Sequence, residues 1–143
     1  MENKYYIPNI DEFTSDFHYE YFNGKVWIKS SDFTNDWDYE DNPHYAVMKG
    51  IDNGIIRVKY LDASDIEELG FTYKGKTIDV WFEKEGNFDM GTWTSYKCQL
   101  HYGLHDNRLF IDMIDMGDEV RVFNGIVKNK SELKKVLNML NIK

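Results

Sequence analysis

The alternation of apolar and polar positions is clearest from Gly54 to Phe71, GIIRVKYLDASDIEELGF, and three elements can be read from it in succession. Ile55, Ile56, Val58 and Tyr60 are β-branched or aromatic. Val58 and Tyr60 alternate with Arg57 and Lys59, the period-two pattern of a strand with one wet face. Asp62 or Ser64 can then accept a hydrogen bond from the free amides of a new helix, and Ser64 with Glu67 has capping-box spacing. Ile66 and Leu69 share a face, and Asp65, Glu67 and Glu68 place negative charge in the first turns, where the helix dipole favours it. Gly70 supplies a left-handed stop, from which Phe71 folds back onto Ile66. The spacing predicts a half-buried strand and a helix of about two turns, and it marks this stretch as the centre on which the rest packs.

The flanking sequence is rich in strand signals. In the lead-in YYIPNIDEF, Tyr6, Ile7, Ile10 and Phe13 can anchor on a core, and Pro8 keeps Ile7 out of a helix. Residues 16–29, DFHYEYFNGKVWIK, read as a hairpin closed by Asn23-Gly24, the pair best suited to a type I′ turn. Phe17, Tyr19 and Tyr21 fall on one face, with His18, Glu20 and Phe22 on the other. Residues 31–50 break the order and predict a long exposed loop with a turn at Asn42-Pro43, or else a hairpin edge with its aromatics tucked inward. Beyond Phe71 the pattern gives two strands around Gly75, the second over 76–84, then a loop or bulge over 85–93. A strand follows over 94–102 with Tyr96, Cys98, Leu100 and Tyr102 in register. Another covers LFIDMIDM, a turn comes at Gly117-Asp118, and a last strand over 119–127 bends at Asn124-Gly125. Asn129 and Glu132 have capping-box spacing, and Leu133, Val136, Leu137 and Leu140 form one apolar stripe of a terminal helix. The expected fold is a single α+β domain over 1–143: an antiparallel meander of about seven strands, one short internal helix, and a C-terminal helix packed on the sheet.

Composition adjusts this picture in a few places. A chain of 143 residues that is 42% hydrophobic is large and apolar enough for a core without metal or disulfide staples. Cys98 is the only cysteine, so no internal disulfide forms, and a lone thiol in a strand fits a reducing compartment. The start MENKYYIPNIDEF lacks the basic and apolar regions of a secretory signal, and no run approaches a membrane span. A cytoplasmic protein is expected, with no membrane association.

Net charge is -8, unevenly spread. Residues 1–50 hold ten Asp/Glu against four Lys/Arg, whereas 51–143 hold fifteen against thirteen. A phosphate backbone calls for a basic face, so the balance argues against direct nucleic-acid binding. An acidic surface instead suits a protein partner with a basic surface, including a groove that normally holds nucleic acid; the plainer reading is that the charge maintains solubility.

Reaction motifs are missing. Neither GxSxG nor HExxH occurs, no stretch carries a convincing reaction motif, and the expectation is a protein that is not an enzyme and needs no cofactor or metal. Cys98, His101 and His105 have the spacing C-x2-H-x3-H, but a strand sends Cys98 and His101 to opposite faces. Asp36, Asp38 and Glu40 alternate as calcium ligands do, without the glycine of an EF-hand. Asp112 and Asp115 could recruit acid–base chemistry only if the fold paired them. The candidate site is a partner-binding one: Asp32, Phe33, Asp36, Trp37, Asp38, Tyr39, Glu40 and Asp41, where aromatic anchors sit inside an acidic rim.

Three segments together, IPNIDEF…FHYEYF…WIK, IRVKYLDASDIEELGF and FNGIVKNKSELKKVLNMLNI, resemble a group of small, mostly uncharacterised proteins of Bacteroidota phages and mobile elements. The likeness spans most of the chain through strand, cap and helix-face positions, and it implies a shared fold rather than a catalytic site. Small acidic proteins of such elements are similar in kind to anti-defence proteins, among them anti-CRISPR inhibitors. The resemblance therefore implies a non-enzymatic, phage-encoded inhibitor in the host cytoplasm. Its target would be a CRISPR effector or its guide RNA complex, in particular the type VI-B RNA-targeting nuclease. A phage structural or accessory assembly protein is the alternative, and a small metal-dependent hydrolase using Asp112, Asp115 or His101 the third.

Overall fold

The structure, a computed structural model, describes residues 4–14, 17–31, 42–76, 79–89 and 94–142. The chain is α+β. Among the described residues it forms two antiparallel sheets, of four and five strands, with three α-helices, rather than one meander of seven strands. Contacts gather it into two compact units, Met1–Tyr60 and Leu61–Lys143, each with its own sheet and core.

In the first unit, strands β1 (Tyr5–Tyr6), β2 (Tyr19–Phe22), β3 (Trp27–Ser30) and β4 (Ile56–Lys59) lie in the order β1-β4-β2-β3. A simple meander would set β4 outside β3. Instead β4 pairs antiparallel with both β1 and β2, so it runs parallel to β3. Parallel strands need a crossover rather than a tight turn, and helix α1 (Pro43–Asp52) provides it. This helix replaces the later part of the loop expected over 31–50, from Pro43 on; residues 32–41 lie outside the described residues. Asn42-Pro43 is a helix start, with Asn42 Oδ1 accepting from Tyr45 N at 3.3 Å and proline at a position whose missing N–H costs nothing.

The core of this unit is aromatic. Phe13, Phe17 and Tyr19 pack with Val47 of α1 and Ile56 and Val58 of β4, and Phe13 lies 4.8 Å from Phe17 and 5.2 Å from Tyr19. Tyr6 and Ile10 pack against it as expected, whereas Ile7 is 66% exposed. At the β2–β3 hairpin only Gly24 has positive φ, and Asn23 Oδ1 accepts from Lys25 N and Val26 N, so an Asx turn closes the loop in place of a type I′ pair.

The second unit opens with helix α2 (Ala63–Glu68). Asp62 caps it, accepting from Asp65 N at 2.9 Å while Asp65 returns the bond; the expected Ser64–Glu67 box is not the cap. At the other end Gly70 takes φ 96°, Phe71 is buried, and Lys84 Nζ donates to Leu69 O at 3.2 Å, placing a cation on the negative end of the helix dipole. The stretch 54–71 is thus less a centre than a join, because β4 belongs to one core and α2 to the other.

Strands β5 (Thr72–Lys76), β6 (Val80–Asp89), β7 (Thr94–Tyr102), β8 (Arg108–Asp115) and β9 (Asp118–Ile126) then form a true meander in chain order. Of the loop or bulge expected over 85–93, the described part is a bulge: strand β6 continues, with a register shift between Glu85 and Phe88, and Phe88 is buried. Gly75 lies at a bulge within β5 rather than in a turn, and the bulge of β9 falls opposite Ile111 and Asp112 rather than at Asn124-Gly125. The β8–β9 turn is Met116-Gly117, both with positive φ (46° and 94°), flanked by the pair Asp115↔Asp118. Two such residues make a type I′ turn, and methionine in this conformation costs about 1 kcal/mol relative to residues that tolerate it.

One face of this sheet presents Phe82, Cys98, Leu100, Tyr102, Leu109, Ile111 and Met113 to a core completed by Ile66 of α2 and by Leu133 and Leu137 of helix α3 (Lys130–Met139). Asn129 Oδ1 accepts from Glu132 N at 2.9 Å, as the spacing predicts, and the helix packs on the sheet through its apolar stripe. Leu133 is 0% exposed and Met139 72%. Leu133→Ala is therefore expected to cost about 3 kcal/mol and Met139→Ala less than about 0.5 kcal/mol in urea unfolding followed by circular dichroism. Equal losses would mean that α3 does not dock through this stripe.

Candidate functional site

Each sheet has a second face, and the side chains there are polar and aromatic. In the first unit the register places Tyr5, Arg57, Lys59, Glu20, Phe22, Lys29 and Trp27 opposite the core. The Arg57 guanidinium lies over the Tyr5 ring at 3.6 Å and the Trp27 ring at 4.0 Å, and Trp27 in turn meets Phe22 at 5.4 Å. A row of planar groups thus crosses all four strands. Guanidinium suits it because it is planar and weakly hydrated, so stacking costs it little. Glu20, 7% exposed, accepts from Arg57 Nη2 at 2.9 Å; the pair satisfies a carboxylate that burial alone would penalise. Arg57 Nε is buried without a hydrogen-bond partner. Alternation identified Arg57 as outward, but its sandwich depends on Trp27 from a strand two places away, which sequence spacing does not encode.

The second sheet repeats the device. Asp112, 2% exposed, is held by Arg121 through Nε at 2.9 Å and Nη2 at 3.3 Å, and the same guanidinium covers Phe110 at 4.4 Å. Hydrogen bonding to Asp112 raises the Arg121 pKa further, so this partner stays charged at any accessible pH. Beside it Gln99 donates to Glu83 at 3.0 Å, with Lys74 and Lys97 at 3.7 and 3.8 Å from the same carboxylate. In the adjacent row Trp81 and His101 are stacked, 6.1 Å apart with 12° between planes. On both faces charged groups are matched to one another, and the aromatic rings are only partly buried.

The partner-binding residues expected from sequence, Asp32, Phe33, Asp36, Trp37, Asp38, Tyr39, Glu40 and Asp41, lie outside the described residues. So does the alternating trio Asp36, Asp38 and Glu40 considered for calcium. What the structure gives is their attachment, between the end of β3 and the Asn42 cap of α1. The other candidates are brought no closer together. Cys98 packs in the core of the second unit, while His101 stacks on Trp81 at the opposite face of the same strand. Asp112 is committed to Arg121, and Asp115, three positions on, closes the turn. Among the described residues no three His, Cys, Asp or Glu side chains form a group able to hold a metal ion, and no helix is long and apolar enough to cross a membrane. Compared with protein families, curated proteins and solved structures, the chain gives no match.

Two measurements check these environments. Burial pushes the Cys98 thiol from 9.0 up to about 12, against a smaller downward pull from Lys84. At pH 8 the thiolate share falls about a thousand-fold, so Ellman's reagent should label denatured protein promptly and folded protein only as it opens. The unfolded thiol ionises first, so above about pH 9 the unfolded state holds fewer protons and stability falls as pH rises. Prompt labelling of the folded protein would refute a buried Cys98. Separately, Arg57→Lys keeps the charge but loses both ring faces, and it is expected to lower stability by about 1 kcal/mol; an unchanged urea midpoint would show that the stack contributes nothing.

Proposed function

We propose that the protein is a non-enzymatic, phage-encoded inhibitor that works in the host cytoplasm by occupying a basic surface of a defence protein, an RNA-guided CRISPR nuclease of type VI-B. The partition of charge supports this reading. Residues 1–60, the first compact unit, carry eleven carboxylates and six Lys/Arg. Five of the eleven and none of the six fall within residues 32–41, and without that decapeptide the unit is balanced at six against six. All of the unit's net charge thus belongs to the link between β3 and α1, interleaved with Phe33, Trp37 and Tyr39. Solubility alone would be served as well by dispersed acids; concentration next to aromatic side chains suits steering toward a basic groove followed by anchoring. The ion pairs Glu20–Arg57 and Asp112–Arg121 fit the same reading, since they commit these two buried carboxylates to holding the sheet faces. No cofactor is required.

Binding to purified type VI-B effector loaded with guide RNA, measured by interferometry at low and moderate salt alongside target-RNA cleavage, tests the proposal. The wild-type protein should bind and suppress cleavage. The triple variant Asp36→Asn, Asp38→Asn, Glu40→Gln should bind at least about ten-fold more weakly and lose most of its salt dependence, and Trp37→Ala or Tyr39→Ala should speed dissociation. No binding by wild type, or a triple variant equal to it, would overturn the reading.

A further inference from the structure

Among the described residues each sheet ends in two strands with a neighbour on one side only, and three of these four edges are guarded. Strand β1 is two residues long, β3 is four with Lys29 among them, and β5 carries Lys74 and Lys76 around the bulge at Gly75. Short length, lysine and bulges keep an edge from pairing with another chain. Strand β9 is different. It runs nine residues, Asp118–Ile126, without lysine or proline, and among the described residues no main-chain hydrogen bond from another segment meets its outer side. Its bulge lies beyond Arg121, so residues 118–121 keep a regular register with 112–115, and all four are exposed. Val120, on the core side opposite Met113, is 47% exposed at the rim of the sheet.

The outer side of such a strand is a row of N–H and C=O groups, which specifies its occupant as another extended chain. The side chains specify which chain. Glu119 and Arg121 share the outer face, opposite Ile114 and Asp112. Among the described residues Glu119 has neither a hydrogen bond nor a salt bridge, while Arg121 commits Nε and Nη2 to Asp112 and keeps Nη1 uncommitted on a side chain that is half exposed. When two β9 strands pair antiparallel about a two-fold axis through Val120, Glu119 of each copy stands opposite Arg121 of the other, and the two Val120 side chains meet on the core side. Centring the pair on Glu119 or Arg121 would instead set like charges face to face. We infer that β9 is a self-association edge: a second copy of this chain adds its own β9 there, centred on Val120, and the two five-stranded sheets become one. The inference is independent of the functional reading above.

Sedimentation equilibrium of the purified chain tests it. The weight-average mass should climb toward that of a dimer between about 10 µM and about 1 mM, a range suited to a short edge pairing. Val120→Lys, which guards this edge as the others are guarded, should raise Kd at least about ten-fold with an unchanged circular dichroism spectrum. Glu119→Lys, which sets lysine opposite Arg121, should raise it at least about five-fold. A cysteine probe reads the register without either variant. Opposed residues of an antiparallel pair have Cα atoms about 4.5–5.5 Å apart, within reach of a disulfide, and the native Cys98 is buried. With oxidised glutathione as the oxidant, Val120→Cys should cross-link to itself at least about ten-fold faster than Ile126→Cys. A wild type that stays monomeric at about 1 mM overturns the inference, as does a dimer that Val120→Lys leaves intact. So does a Val120→Cys that cross-links no faster than Ile126→Cys.

Discussion

The position of β4 between β1 and β2 determines most of the first unit. Its inward residues, Ile56 and Val58, complete a core shared with Phe13, Phe17, Tyr19 and Val47, and its backbone bonds to strands on both sides. Reaching that position from β3 requires the chain to pass over the sheet in the parallel sense, so a helix has to lie between them. The crossover gives the connection two fixed ends.

The outward face of β4 shows how these sheets handle charge. Arg57 and Arg121 each satisfy a buried carboxylate and cover an aromatic ring, so one side chain neutralises one neighbour and dries another. Such pairs add little to stability compared with apolar packing, and removing one partner is costly because a buried charge is left behind. Their contribution is orientation: the rings of Tyr5, Trp27 and Phe110 are held in place by guanidinium groups whose own positions are set by Glu20 and Asp112.

Local chemistry was legible in the sequence wherever it decides the outcome. The α+β class, the alternation of Ile56 and Val58 with Arg57 and Lys59, strand β7 over 94–102, the Gly70 stop and the Asn129 cap all follow from neighbouring residues, and the structure has them. Long-range pairing was not legible. Nothing near Ile56 says that it faces Tyr21 on one side while Val58 faces Tyr6 on the other, so two sheets looked like one meander. Asn42-Pro43 was misread for a related reason: the pair suits a turn and a helix start equally well, and only the need for a crossover chooses between them. The turn at Met116-Gly117 was displaced by one residue because methionine is not the side chain that such a conformation favours. For the candidate site, its residue types were legible, but its surroundings, such as the Arg57 stack and the Asp112–Arg121 pair, depend on strands brought together by folding.

The two sheets also differ in when they can form. Every strand of the second joins the one just before it, so each hairpin can close soon after its residues leave the ribosome. The first cannot finish in that way: Tyr5 waits for Lys59, with a hairpin, the acidic link and α1 made in between. Closing so long a loop is entropically slow, so the unit synthesised first is the one whose final pairing is delayed. Until β4 emerges, the outer edge of β2 has no strand to pair with, and the nascent chain is most exposed to misassociation during that interval.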